Sequence, residues 1–115
     1  MPIVIYHNPR CTKSRQALKL ILDQGLEPQI IEYLKTPLSE NDIRKLLKQM
    51  GLTAIQLVRT KEPEFKKAGL HRHDVTDDEI VAAMVKYPKL IERPIVVSGN
   101  KAVLGRPPEN VLSLL

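Results

Sequence analysis

The sequence predicts an α/β protein with a four-stranded mixed sheet, in which a βαβ half and a ββα half flank an inserted helical segment at about residues 38–90. Three observations carry this expectation. A short apolar run, Ile3 to Tyr6, is followed by an amphipathic helix and a second extended run. Two apolar runs rich in β-branched residues, Ile95-Val96-Val97 and Ala102-Val103-Leu104, flank a turn at Ser98-Gly99-Asn100-Lys101. Capped amphipathic helices lie between the two halves. At 115 residues the chain is expected to form one domain, 1–115, and to bury roughly 65% of the surface that its unfolded form exposes.

Each element has a local cause. Ile3 to Tyr6 reads as a buried strand that stops at His7-Asn8-Pro9, because Pro9 has no N–H for a ladder. A helix follows from about Lys13 to Gln24: Ala17, Leu18, Ile21 and Leu22 share a face, and Gly25 suits a left-handed cap. Gln29 to Tyr33 is the second strand, parallel to the first because a helix provides the crossover. Ser39-Glu40-Asn41-Asp42 opens a helix with a capping pair, and Ile43, Leu46, Leu47 and Met50 follow at helical spacing before Gly51. Leu52 to Leu70 reads as short helical pieces broken around Pro63 and Gly69. Thr76 and Glu79 form another capping pair, ahead of an apolar face at Ile80, Ala83, Met84 and Tyr87 that stops at Pro88. The Gly-Asn hairpin and a short terminal helix through Val111, Leu114 and Leu115 complete the chain. This order is that of the thioredoxin-like architecture. There a reactive cysteine commonly follows the first strand and a cis-proline opens the third, the places held here by Cys11 and Pro94.

Composition narrows the function. Four aromatic residues, Tyr6, Tyr33, Phe65 and Tyr87, poorly supply a base-stacking surface, so no nucleic-acid partner is expected. No apolar stretch reaches the roughly 18 residues of a membrane span, and no export signal is read in MPIVIY, so a cytoplasmic protein without a membrane partner is expected. A net charge of +5 favours anionic partners without naming one. Lys66, Lys67, His71 and Arg72 read as a solvated face, and His7, His71 and His73 form no convincing metal set, so no metal is expected. A monomer is expected at this size.

The only cysteine, Cys11, lies within His7-Asn8-Pro9-Arg10-Cys11-Thr12-Lys13-Ser14-Arg15. A lone cysteine is most often an inert buried hydrophobe. The start of a helix after a proline loop favours the opposite reading, because unpaired N–H groups and the helix dipole lower the thiol pKa. His7, Arg10, Lys13 and Arg15 would add to this if their side chains turned inward. Having no partner in the chain, Cys11 must make any disulfide with another molecule. Arg93 and Arg106 each precede a proline at the two ends of the hairpin and could converge near Cys11, while Arg59 follows the apolar Leu57-Val58. Guanidinium forks around a thiolate would suit a tetrahedral oxyanion.

The opening motif, Gly25-x-x-Pro28, Arg59, Leu90-Ile91-x-Arg93-Pro94-Ile95-Val96-Val97 and Arg106-Pro107 together resemble the arsenate reductase family coupled to glutathione and glutaredoxin, over nearly the full length. The resemblance implies catalytic roles for Cys11, Arg59, Arg93 and Arg106, with Cys11 as the nucleophile. It implies that His7 and Ser14 stabilise the thiolate, Ser14 by hydrogen bonding to it, and that Arg10 and Pro94 face the substrate. Glutathione would be a co-substrate and glutaredoxin a partner, with no bound cofactor. The best-known members carry small residues around the cysteine, where this chain has Arg10, Thr12 and Lys13. Two other readings fit the same scaffold: a glutathione-dependent thiol oxidoreductase with a different substrate, and an Spx-like RNA polymerase-binding regulator. Those regulators typically carry Cys-x-x-Cys, and this chain has Ser14 at the second position.

Overall fold

A computed structural model describes residues 2–115, and Met1 lies outside the described residues. The chain divides into two compact units, one made of residues 1–36 and 93–115, the other of Pro37–Glu92.

The first unit holds the sheet, with strand order β2-β1-β3-β4. Strand β1 (Ile3–Tyr6) pairs in parallel with β2 (Gln29–Ile31) and antiparallel with β3 (Ile95–Ser98), which pairs antiparallel with β4 (Lys101–Leu104). Helix α1 (Thr12–Asp23) is the crossover between β1 and β2. It begins one residue before the expected Lys13, with Cys11 in the N-cap place, and Gly25 beyond its end takes a φ of 78°. Strand β2 is shorter than expected. Its last pair is Tyr6 with Ile31, after which His7 N–H bonds to Ile31 O and the chain turns through Glu32, whose carbonyl accepts from Lys35 and Thr36. Strand β1 itself ends at Tyr6, ahead of Pro9, and Tyr33 is buried outside the strand.

The β3–β4 hairpin closes through Gly99-Asn100, with Gly99 at φ 60° and Asn100 at negative φ, the pattern of a type II′ turn. The terminal segment Pro108–Leu114 is a 3₁₀ helix that packs against α1 and β4. Asn110 Nδ2 ties it to the carbonyls of Leu104 and Arg106 at 3.2 Å. Ile3, Ile5, Ala17, Ile21, Val96 and Val111 form the core of this unit.

The second unit is helical. Helix α2 (Glu40–Met50) has the expected capping box between Ser39 and Asp42 and ends at Gly51, φ 67°. Helix α3 (Ala54–Leu57) is capped by Thr53 and Gln56, and α4 (Pro63–Lys67) starts at Pro63. Pro63 opens this helix rather than breaking it, since the first turn needs no N–H from it. Helix α5 (Asp77–Lys86) is capped by Thr76 and Glu79 and packs against α2 and α3. Ile43, Leu57, Ile80, Met84 and Leu90 are fully buried. Among the described residues no helix is long and apolar enough to cross a membrane.

Candidate active site

Cys11 stands where β1 gives way to α1, in a loop held by four hydrogen bonds. Cys11 N–H donates to Asn8 O at 3.0 Å, Arg10 N–H to Asn8 Oδ1 at 3.0 Å, and Asn8 N–H to Ser14 Oγ at 3.1 Å. Arg15 Nη1 donates to Pro9 O at 2.9 Å. Asn8 thus organises the loop, a role that the sequence reading missed. The signal was present, because Asn before Pro favours a turn in which the side chain binds the backbone two residues on.

The sulfur occupies the N-cap place of α1. No standard side-chain cap hydrogen bond closes the helix, yet the main-chain N–H groups of Ser14 and Lys13 both favour the thiolate. Partial burial pushes the Cys11 thiol up. The Ser14 N–H, the charge and hydrogen bond of the Arg93 guanidinium, and the Lys13 N–H pull it down, and the balance lies below the ordinary thiol value. The nearby cation that matters most is therefore Arg93. Arg15 is exposed and turns to Pro9 O and Thr12 Oγ1.

His7 is buried, with Nδ1 2.6 Å from Ser14 Oγ. Burial holds its imidazole below the usual histidine range. Glu32 opposes this and Arg15 reinforces it, so His7 is neutral at pH 7. Its tie to the cysteine runs through Ser14, not through a positive charge. The resemblance implied a hydrogen bond from Ser14 to the thiolate. In the structure the fully buried Ser14 hydroxyl bonds to His7 and Asn8, and the Ser14 N–H favours the thiolate.

Register explains how the hairpin arginines reach this end of the sheet. Ile95 pairs with Leu104, so Pro94 comes opposite Gly105 and Arg93 opposite Arg106, at the end of β3 that pairs with Tyr6. Arg106 Nη1 donates to Arg93 O at 3.2 Å, and Gly105 N–H to Pro94 O at 2.8 Å. Arg93 Nε is buried without a hydrogen-bond partner. The Arg93–Pro94 and Arg106–Pro107 peptides are both cis. Pro94, expected to face the substrate, is buried against Gly105, whereas Arg10 is exposed. A Cβ on Gly105 would lie 2.8 Å from Pro94 Cγ, so this glycine is required by close approach, a second feature absent from the sequence reading.

Arg59 belongs to the second unit. Its N–H donates to Leu90 O at 2.7 Å beside an isolated bridge between Val58 and Ile91. Its guanidinium pairs with two carboxylates, Nη1 3.4 Å from Glu92 Oε1 and Nε 3.2 Å from Glu62 Oε1, the latter without hydrogen-bond angles. Among the described residues no group of three or more His, Cys, Asp or Glu could hold a metal ion.

A mixed four-stranded sheet with a thiolate-favouring cysteine at the first helix start and a cis-proline before β3 defines the thioredoxin-like class. Within it, the chain belongs to the ArsC family, whose sequence model matches residues 6–114. It is similar to the arsenate reductase of Haemophilus influenzae, 41% identical over 100% of each chain. It also resembles the uncharacterized protein YfgD of Escherichia coli K12, 46% identical over 98% of this chain and 96% of that one. The solved structure of an arsenate reductase from Vibrio cholerae superposes with a TM-score of 0.96 at 47% identity, covering 100% of this chain and 98% of that one.

Proposed function

We propose that this protein reduces arsenate to arsenite, with glutathione and glutaredoxin as the reductants and Cys11 as the nucleophile. The observation that carries this reading is the pairing of a thiol held below its ordinary pKa with the Arg93 guanidinium that helps to hold it there. Similarity over the whole chain to proteins named as arsenate reductases supports arsenate as the substrate.

In this reading Cys11 thiolate attacks arsenic, an arsenate oxygen leaves as water, and a Cys11–S–As(V) adduct forms. Arg93 and Arg106 lie at one sheet end, where two planar forks suit the oxyanion as charge redistributes. The family resemblance gives Arg59 a catalytic role as well. A glutathione thiolate then attacks Cys11 sulfur. The S–As bond breaks with its electron pair going to arsenic, which leaves as arsenite, and the two sulfurs become a mixed disulfide. Glutaredoxin thiolate takes the glutathionyl group and returns Cys11 thiolate. External thiols are required because the chain has one cysteine. Such chemistry belongs to a reducing compartment, hence the cytoplasm.

His7 and Ser14 act by holding the loop. The neutral imidazole and the Asn8 N–H both bond the Ser14 hydroxyl, which fixes the helix start over which the sulfur sits. Arsenate-dependent NADPH oxidation with glutathione, glutaredoxin and glutathione reductase tests the reading. Turnover that disappears in Cys11→Ser is expected. Turnover that survives in that variant removes the nucleophile, and a wild-type protein with an ionised Cys11 but no arsenate turnover moves the substrate to another thiol-reactive species.

A further inference from the structure

The first unit carries eight Lys and Arg against four Asp and Glu, and its cations are unevenly compensated. Lys19 pairs with Asp23 at 2.8 Å and Lys35 with Glu32 at 3.6 Å. Arg10 and Lys13, the exposed residues on either side of Cys11, meet no carboxylate among the described residues. Neither is a loose appendage. The Arg10 backbone is held by Asn8 Oδ1, and Lys13 belongs to the first turn of α1.

Lys13 also stands against a local preference. The first turns of α2, α4 and α5 carry acidic residues, as the helix dipole favours, whereas those of α1 and α3 carry none, and the first turn of α1 holds Lys13. A cation there is disfavoured, and Arg10 and Arg15 beside it make matters worse. The Cys11 thiolate offsets part of this charge, and an anion arriving from outside offsets more. Arsenate itself is served by the guanidinium groups at the sheet end, so a second anion, larger than arsenate and reaching outward from the sulfur, suits these two cations best.

We propose that Arg10 and Lys13 select the thiol that attacks at Cys11, by binding the carboxylates of a small anionic peptide thiol of the glutathione class. This rests on the reading that an external thiol completes the reaction, and it assigns the selectivity to two residues that differ from the small ones in the best-known relatives. The two cations flank Cys11 in the sequence, one before it and one after, and a tripeptide thiol carries carboxylates at both ends, so one disulfide-forming pose can engage both.

Thiol–disulfide exchange at Cys11 tests this without arsenate. Cys11 thiolate attacks a symmetrical disulfide, Cys11–S–S–R forms and one thiolate leaves, so the release of RS⁻ reports the rate. Three probes are compared at one pH: glutathione disulfide (anionic), hydroxyethyl disulfide (neutral) and cystamine (cationic). Dividing each rate by that for the neutral probe cancels the thiolate fraction, which these substitutions also change. Unit charges about 7 Å apart across water predict a fall of roughly fivefold in the normalised glutathione disulfide rate for the double variant Arg10→Gln/Lys13→Gln. A comparable loss is expected for wild type when salt is raised to about 0.5 M, because screening shortens the reach of these charges. The double variant Arg10→Glu/Lys13→Glu should turn the preference toward cystamine. A normalised rate that is the same in wild type and both double variants overturns the proposal, as does a wild-type preference that salt leaves untouched. If arsenate turnover is absent but charge selectivity follows these residues, the substrate fails and this inference stands. If turnover is present and selectivity does not move, the inference fails alone.

Discussion

Replacing Gly105 by alanine should both destabilise the protein and slow the chemistry of a cysteine that it never touches. The new Cβ would lie 2.8 Å from Pro94 Cγ, 3.2 Å from Val111 Cγ1 and 3.4 Å from Pro94 Cδ. Carbon atoms pack comfortably at about 3.5–4.0 Å, so the closest contact is short by roughly 0.7 Å or more. Neither neighbour yields easily: Pro94 is a rigid ring and Val111 is fully buried. Gly105 has no positive φ, so the cost is crowding and not backbone conformation. Overpacking of this kind costs about 1–3 kcal/mol. Around 2 kcal/mol would lower the melting temperature by roughly 8 °C for a domain of this size. Relief must come from moving Pro94 outward, and Arg93 precedes it, with its carbonyl bonded by Arg106 and its guanidinium serving the Cys11 sulfur. The pH profile of Cys11 alkylation by iodoacetamide should therefore move to higher pH in Gly105→Ala. Urea unfolding that matches wild type, with an unchanged alkylation profile, would refute this coupling.

Other perturbations probe the remaining parts of the site. Ser14→Ala leaves the Asn8 N–H and His7 Nδ1 without their buried partner and should cost about 1–3 kcal/mol in urea unfolding; a loss under about 0.5 kcal/mol would show that the loop is held by something else. The Cys11 pKa is lower folded than unfolded, so the thiolate's contribution to stability is present above the unfolded thiol pKa and is lost as pH falls through the folded value. The stability gap between wild type and Cys11→Ser should thus widen from about pH 6 to about pH 9, and a gap that narrows contradicts the depressed pKa. His7 is also lowered, but as a base: below its ordinary value of 6.5 the unfolded chain takes a proton before the folded one does, and stability falls with pH. His7→Asn should flatten that acid limb in thermal melts, whereas an unchanged slope would place the lost protons elsewhere.

Strands, caps and hairpin were legible in the sequence because each has a local cause. Ser39 with Asp42 and Thr76 with Glu79 cap their helices through neighbours three residues away. Gly99-Asn100 closes its hairpin from its own turn chemistry. Strand β2 was read too long because its end is set by where β1 stops, in a different part of the chain. The terminal helix is 3₁₀ since it is shaped by packing on α1 and by Asn110 bonding back to Leu104 and Arg106.

The site divides in the same way. The position of Cys11 at the start of α1 follows from Pro9 and the helical spacing beyond it. The approach of Arg93 and Arg106 depends on hairpin register, which the two-residue loop fixes but the arginines themselves do not announce. The competition for Ser14 was invisible, because spacing cannot tell a hydroxyl aimed at Cys11 from one held by a buried His7. The need for glycine at 105 arises only from the closeness of Pro94 across the hairpin.

The most direct test of Cys11 as the nucleophile is mass spectrometry of the protein incubated with glutathione and arsenate, with glutaredoxin left out so that the last step cannot proceed. A glutathionyl adduct on Cys11 that forms only when arsenate is present is the expected result. Cys11 unmodified under those conditions, or modified equally without arsenate, would contradict attack of this thiol on arsenic.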